Sequence, residues 1–118
     1  MNEGPVFRKS FTFAVDIIRT IRQLRQAGYE RELLSQLLKS GTSIGANVNE
    51  AQSAQSRKDF ISKMTIALKE ARETEYWLRL LSETGSFSVE TAEDLLNKAD
   101  ELIRLLVSII KTTKEKSI

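Results

Sequence analysis

The chain contains no cysteine and no histidine. The first absence excludes a disulfide framework and any thiolate metal site. The second removes imidazole as a general acid, base or activator of a nucleophile. It also removes most zinc sites and the Glu-x-x-His pairs through which helical bundles hold two irons. Carboxylates, Lys, Tyr and Ser are the only catalytic material left. Proline occurs once and glycine five times in 118 residues, too few for long linkers or disorder. Aromatic residues are also sparse, at five Phe, two Tyr and one Trp. Leu, Ile and Ala supply most of the apolar content, which favours helices over a sandwich. No run of about 18 apolar residues occurs, and no basic stretch leads into an apolar one near the N-terminus. The sequence therefore predicts a cytoplasmic protein with no membrane partner.

What is present fits one globular domain over residues 1–118, with 41% hydrophobic and 29% charged residues and a net charge of +2. The first helix is predicted over 7–27. Phe7, Phe11, Ala14, Ile18 and Ile21 step by three or four, the period of a buried stripe, and Phe13, Ile17 and Leu24 form a second stripe beside it. Together they span roughly 160°, wider than the ~100° that one core requires, so a second buried surface is expected. Gly28 is placed to end the helix in the left-handed conformation.

The second helix is predicted over 31–53, with Leu34, Leu37, Leu38, Gly41, Ile44, Gly45 and Val48 on one face. Each glycine costs about 1 kcal/mol of helix propensity relative to Ala. Their position on the apolar face, four residues apart, suits a close approach by a neighbouring helix; the alternative is a break at Gly41. Ser56 to Asp59 reads as a capping box with Asp in place of Glu, opening a third helix over 57–83. Phe60, Met64, Ala67, Ala71, Thr74, Leu78 and Leu81 form its seam, and Gly85 is its natural stop. Ser88 caps a fourth helix over 88–113, whose seam is Ala92, Leu95, Ala99, Leu102, Leu106 and Ile109. Four such helices on short loops predict an all-α, antiparallel up-down-up-down four-helix bundle.

Two Glu-x-x-Glu pairs, Glu70 with Glu73 and Glu90 with Glu93, are the carboxylates able to ligate Mg²⁺ in the manner of all-α nucleotide hydrolases. Against that reading, Glu90 and Glu93 already suit a helix N-terminus, and such pairs are common on solvated helices. No metal site and no cofactor are expected. Residues 8–27 carry five basic side chains against one Asp, a net +4, so the remainder of the chain is negative. Arg8, Arg19 and Arg22 fall within about 60° on the first helix. With Arg25 they form a candidate phosphate-binding strip, which also reads as an ordinary solvated face. Ile66, Trp77 and Leu80 lie off the third-helix seam. They are either the edge of a generous core or, with Phe13, Ile17 and Leu24, a subunit interface; the interface is favoured.

Four segments carry a family resemblance: Ser43-Ile-Gly-Ala-Asn-Val-Asn-Glu50, Ser56-Arg-Lys-Asp-Phe60, Ile66-Ala-Leu-Lys-Glu-Ala-Arg-Glu-Thr-Glu75 and Tyr76-Trp-Leu-Arg-Leu-Leu81. Together they resemble the bacterial four-helix-bundle proteins encoded in intervening sequences of 23S rRNA genes, also labelled S23 ribosomal proteins. The family commonly continues Ala-Glu-Gly where this chain has Asn49-Glu50-Ala51, a loss of glycine that favours a helix continuing past Glu50.

The resemblance implies a homopentameric ring of bundles. It also implies kinship with the accessory variability determinant of diversity-generating retroelements, a basic pentamer that binds nucleic acid and its reverse transcriptase. It brings no catalytic residue. Ser43, Asn47 and Glu50 match the family motif and are expected to form a hydrogen-bonded polar cluster that fixes helix packing or subunit contacts. The function expected is that of a non-enzymatic oligomer binding RNA, DNA or a nucleic-acid enzyme through the first helix. A structural protein–protein adaptor and a carboxylate–Mg²⁺ nucleotide hydrolase are the alternatives.

Overall fold

A computed structural model describes residues 4–116. It contains α1 (Pro5–Gln26), α2 (Arg31–Ala51), α3 (Arg57–Glu83) and α4 (Val89–Glu115). α1 begins two residues before the predicted start because Pro5 takes the first helical position, where its missing N–H costs nothing. It closes on Gly28, with φ +85°. The Gly28 N–H donates to the Arg25 carbonyl and the Tyr29 N–H to that of Leu24, at 3.1 and 3.2 Å. Gly85, with φ +79°, closes α3 in the same way: its N–H reaches Ser82 and that of Ser86 reaches Leu81. Both are Schellman ends, in which a left-handed glycine lets the last carbonyls find donors.

α2 runs unbroken through Gly41 and Gly45 and ends at Ala51, two residues before the expected 53. The helix thus passes Glu50 by a single residue. Beyond it, the N–H groups of Gln52, Ser53 and Ala54 bond carbonyls three residues back, a tightening that finishes the helix without glycine. Ser56 accepts from the Asp59 N–H at 3.0 Å, while Asp59 reaches back to the Gln55 N–H at 3.2 Å instead of to Ser56 itself. Ser88 caps α4 by accepting from the Thr91 N–H at 3.1 Å.

The four helices make a rod 50 × 22 × 20 Å, a four-helix bundle in which α1 packs on α2, α2 on α3 and α3 on α4. α1 approaches α4 much less closely. The core is a column of Phe13, Ile17, Ile21, Leu34, Leu37 and Ile44 facing Met64, Leu78, Leu81, Leu95, Leu102 and Leu106. On α4, Ile110 is buried and Ile109 only partly so, shifting the end of its seam by one position.

The two α1 stripes exchange the roles expected of them. Phe13, Ile17 and Leu24, expected at a subunit interface, are buried inside the bundle. Phe7, Ala14 and Ile18 are only half-buried, and Phe11 is 65% exposed. Of the row expected in the core, only Ile21 is there.

The reason lies in α2. A Cβ built on Gly41 would stand 3.0 Å from the Ile17 γ-carbons, and one on Gly45 would stand 3.2 Å from the Ser10 carbonyl oxygen. The glycines therefore admit the Ser10–Ile17 side of α1. Ser10 belongs to the inner row, buried between Val6 and Phe13, with its hydroxyl donated to the Phe7 carbonyl at 3.1 Å. A serine midway makes the true inner row look less apolar than its neighbour.

Candidate nucleic-acid interface

All four candidate arginines of α1 are exposed. Arg8, Arg19 and Arg22 share the outward side of the helix; Arg25 stands about 100° round from Arg8, on the side of Phe7 and Ile18. Among the described residues, Arg19, Arg22 and Arg25 have no carboxylate at ion-pair distance. Lys9, by contrast, is neutralised by Glu101 of α4 at 2.8 Å. Arg19 also rims a groove between α1 and α4 that holds Asp16, Glu90, Asp94 and Lys98, so the field there is mixed. Within this groove Lys98 bonds Asp16 at 2.9 Å and Asp94 at 3.0 Å. The hydrogen bonds it donates to Asp16 and then to Asp94 hold its ammonium above the ordinary 10.5 against a smaller opposing desolvation.

Ser43, Asn47 and Glu50 lie on one side of α2, but they do not join into the expected cluster. The Ser43 hydroxyl donates to the Lys39 carbonyl at 2.6 Å, and the Asn47 amide donates to the Ser43 carbonyl at 2.9 Å. Both bonds stay within their own helix. Glu50 alone crosses to α3, where Lys63 stands 3.6 Å away. Serine and asparagine can satisfy themselves on the preceding turn, so a shared helix face did not require a shared network.

On α3, Ile66 is 41% exposed, while Trp77 and Leu80 are half-buried. The Trp77 indole N–H donates to Glu73 at 3.2 Å, and its ring meets Tyr76 edge-on, with centroids 5.1 Å apart and planes at 74°. Among the described residues, no three carboxylates gather where they could hold a metal ion. Glu70 and Glu73 stand mid-way along α3, and Glu90 and Glu93 in the first turns of α4.

Two surfaces escaped the sequence reading. One is the outward row Phe7, Phe11, Ala14 and Ile18, which lines a groove with Thr42 and Ala46 of α2. The other is a row of Lys69, Arg72, Tyr76 and Arg79 on α3, all exposed. Its three-four-three spacing was legible, had the polar face of α3 been followed as closely as its apolar seam.

The family model for the 23S rRNA-intervening sequence protein matches residues 2–108. The chain belongs to that family. A crystal structure of a protein with unknown function from the S23 ribosomal protein family, from Bacteroides thetaiotaomicron VPI-5482, is similar at 51% identity. The match covers 90% of this chain and 98% of that one, with a TM-score of 0.87. No curated protein matches. The intervening-sequence family and the S23 name thus meet on the same fold, and the family segments fall mainly on α2 and α3. None of the described helices is long and apolar enough to cross a membrane.

Proposed function

We propose that this intervening-sequence protein is a non-enzymatic homo-oligomer of the bacterial cytoplasm that binds nucleic acid, or an enzyme acting on nucleic acid, through the outward side of α1. The observation that carries this reading is the set of exposed arginines, of which Arg19 and Arg22 share that side and have no ion-pair partner among the described residues. Cations left unpaired on one helix face release counterions when they meet phosphates, and a ring of copies multiplies a weak contact by avidity.

Self-association is supported by the apolar row Phe7, Phe11, Ala14 and Ile18, together with the flank of Ile66, Trp77 and Leu80 on α3. Two different apolar faces on one chain suit a head-to-tail contact, which closes into a ring when the rotation permits. The family resemblance makes five the expected number.

Light scattering on the full chain is expected to give a pentamer, and binding to a labelled RNA should weaken steeply with salt. Replacing Arg19 and Arg22 together by Glu should abolish binding and leave assembly intact. A monomer with no salt-dependent binding overturns the reading. A structural adaptor is the second reading, favoured by the exposed Phe11 row; it predicts the oligomer without the salt-dependent binding.

A further inference from the structure

We infer that the outward row of α3, centred on Tyr76, is a stacking strip for single-stranded nucleic acid. The inference rests on the proposed nucleic-acid binding and adds to it a second contact surface and a preference for unpaired bases.

Tyr76 is 58% exposed. Its own row is cationic: Lys69 lies two turns before it, Arg72 one turn before and Arg79 one turn after, all exposed on the same face, with the half-buried Glu75 on the flank beside Arg72 and Arg79. None of the three has an ion-pair partner among the described residues. Glu83, one turn beyond Arg79, marks the end of the strip, and Glu73 is engaged by the Trp77 indole.

The ring is also braced. Trp77 stands edge-on to it at 5.1 Å and is itself held by the hydrogen bond to Glu73. An exposed aromatic with a fixed neighbour loses little freedom when a base stacks on it.

From Lys69 to Arg79 the helix rises about 15 Å, roughly four nucleotides at the ~3.4 Å per-strand spacing of stacked DNA. A ring standing between cations at this spacing offers a base its face while the flanking side chains reach phosphates, the combination by which single strands are bound without sequence preference. Duplexes keep their bases stacked inward and can use only the cations. The α1 strip has no equivalent: its exposed aromatic, Phe11, borders a groove with Phe7, Ala14 and Ile18, and of the positions one turn away only Arg8 is charged.

The test uses the full chain, a labelled uridine 12-mer and a duplex of the same length. Wild-type protein is expected to bind the single strand more tightly than the duplex and to quench the fluorescence of Trp77, the sole tryptophan. Tyr76→Ala should weaken single-strand binding about tenfold and leave the duplex within about twofold, whereas Tyr76→Phe should bind as wild type. Replacing Arg72 and Arg79 by Glu should weaken both ligands and flatten the salt dependence.

If Tyr76→Ala binds the single strand as well as wild type does, while the Arg19 and Arg22 double variant has lost binding, the α3 strip is wrong and the α1 reading survives. If wild-type protein binds neither ligand, both fail together. If Tyr76→Ala changes the assembly mass instead of the affinity, Tyr76 is a subunit contact and the strip is overturned. Helical circular dichroism and melting temperature confirm that each variant is folded.

Discussion

α1 and α3 each present a large aromatic ring to solvent, Phe11 and Tyr76, in opposite settings. Phe11 continues an apolar row that borders the α1–α2 groove, while Tyr76 interrupts a row of unpaired cations. The exposed area of a ring alone does not say what covers it; the neighbours one turn away do. An apolar row gains by excluding water against another apolar surface, and a cationic row gains by meeting an anion. One chain thus carries two kinds of contact on different helices.

The largest effect that can break this comparison lies inside α1. Phe13→Ala should cost about 3–5 kcal/mol of stability, as expected for a fully buried ring. Phe11→Ala, two residues away, should change the stability of the isolated bundle by no more than about 0.5 kcal/mol; urea unfolding of both variants checks the pair. Equal losses would mean that the inner and outer rows are not distinct. Next, Phe11→Asp should reduce the mass measured by light scattering to that of one chain, because a charge at the centre of an apolar contact costs on the order of 2 kcal/mol or more per interface. Tyr76→Ser should leave that mass unchanged.

Gly41→Val should lower stability by about 1–3 kcal/mol, since its side chain would enter the space of Ile17. Suppression by Ile17→Ala in a double-variant cycle would tie the loss to that contact.

The smallest effect concerns Lys98. Its pKa in the folded chain is raised, so its contribution to stability is complete below the ordinary 10.5 and is lost as pH rises through the raised value. Thermal melts from about pH 9 to about pH 12 should fall less steeply for Lys98→Met than for the parent. The difference should be at most about 1 kcal/mol, because the pair is partly exposed and screened by solvent.

Most of the fold was legible in the sequence because its signals were local. Ser56 and Ser88 marked helix starts, and Gly28 and Gly85 marked ends; each acts through groups within a turn of itself. The ranking of the two α1 stripes was not legible, because both repeat every three or four residues and the choice between them is made by Gly41 and Gly45 on a different helix. The polar motif of α2 misled for a related reason: Ser43 and Asn47 share a face with Glu50 yet bond their own backbone. Of the candidate arginines, exposure was readable from periodicity, whereas the groove of mixed charge beside Arg19 depends on where α4 lies.

The seams of the bundle differ in what holds them shut. Along α1 and α2, glycines let one backbone settle against the other. Across from α1 to α4, the helices stand farther apart and are bridged by Lys9 with Glu101 and by Lys98 with Asp16. Dissolved ions screen the second kind of closure and barely touch the first. Ionic strength is therefore a selective lever on this molecule: amide exchange should quicken with salt along the α1–α4 edge while the α1–α2 edge stays protected. The same salt that competes for a nucleic-acid phosphate would loosen one side of the rod and leave its spine intact.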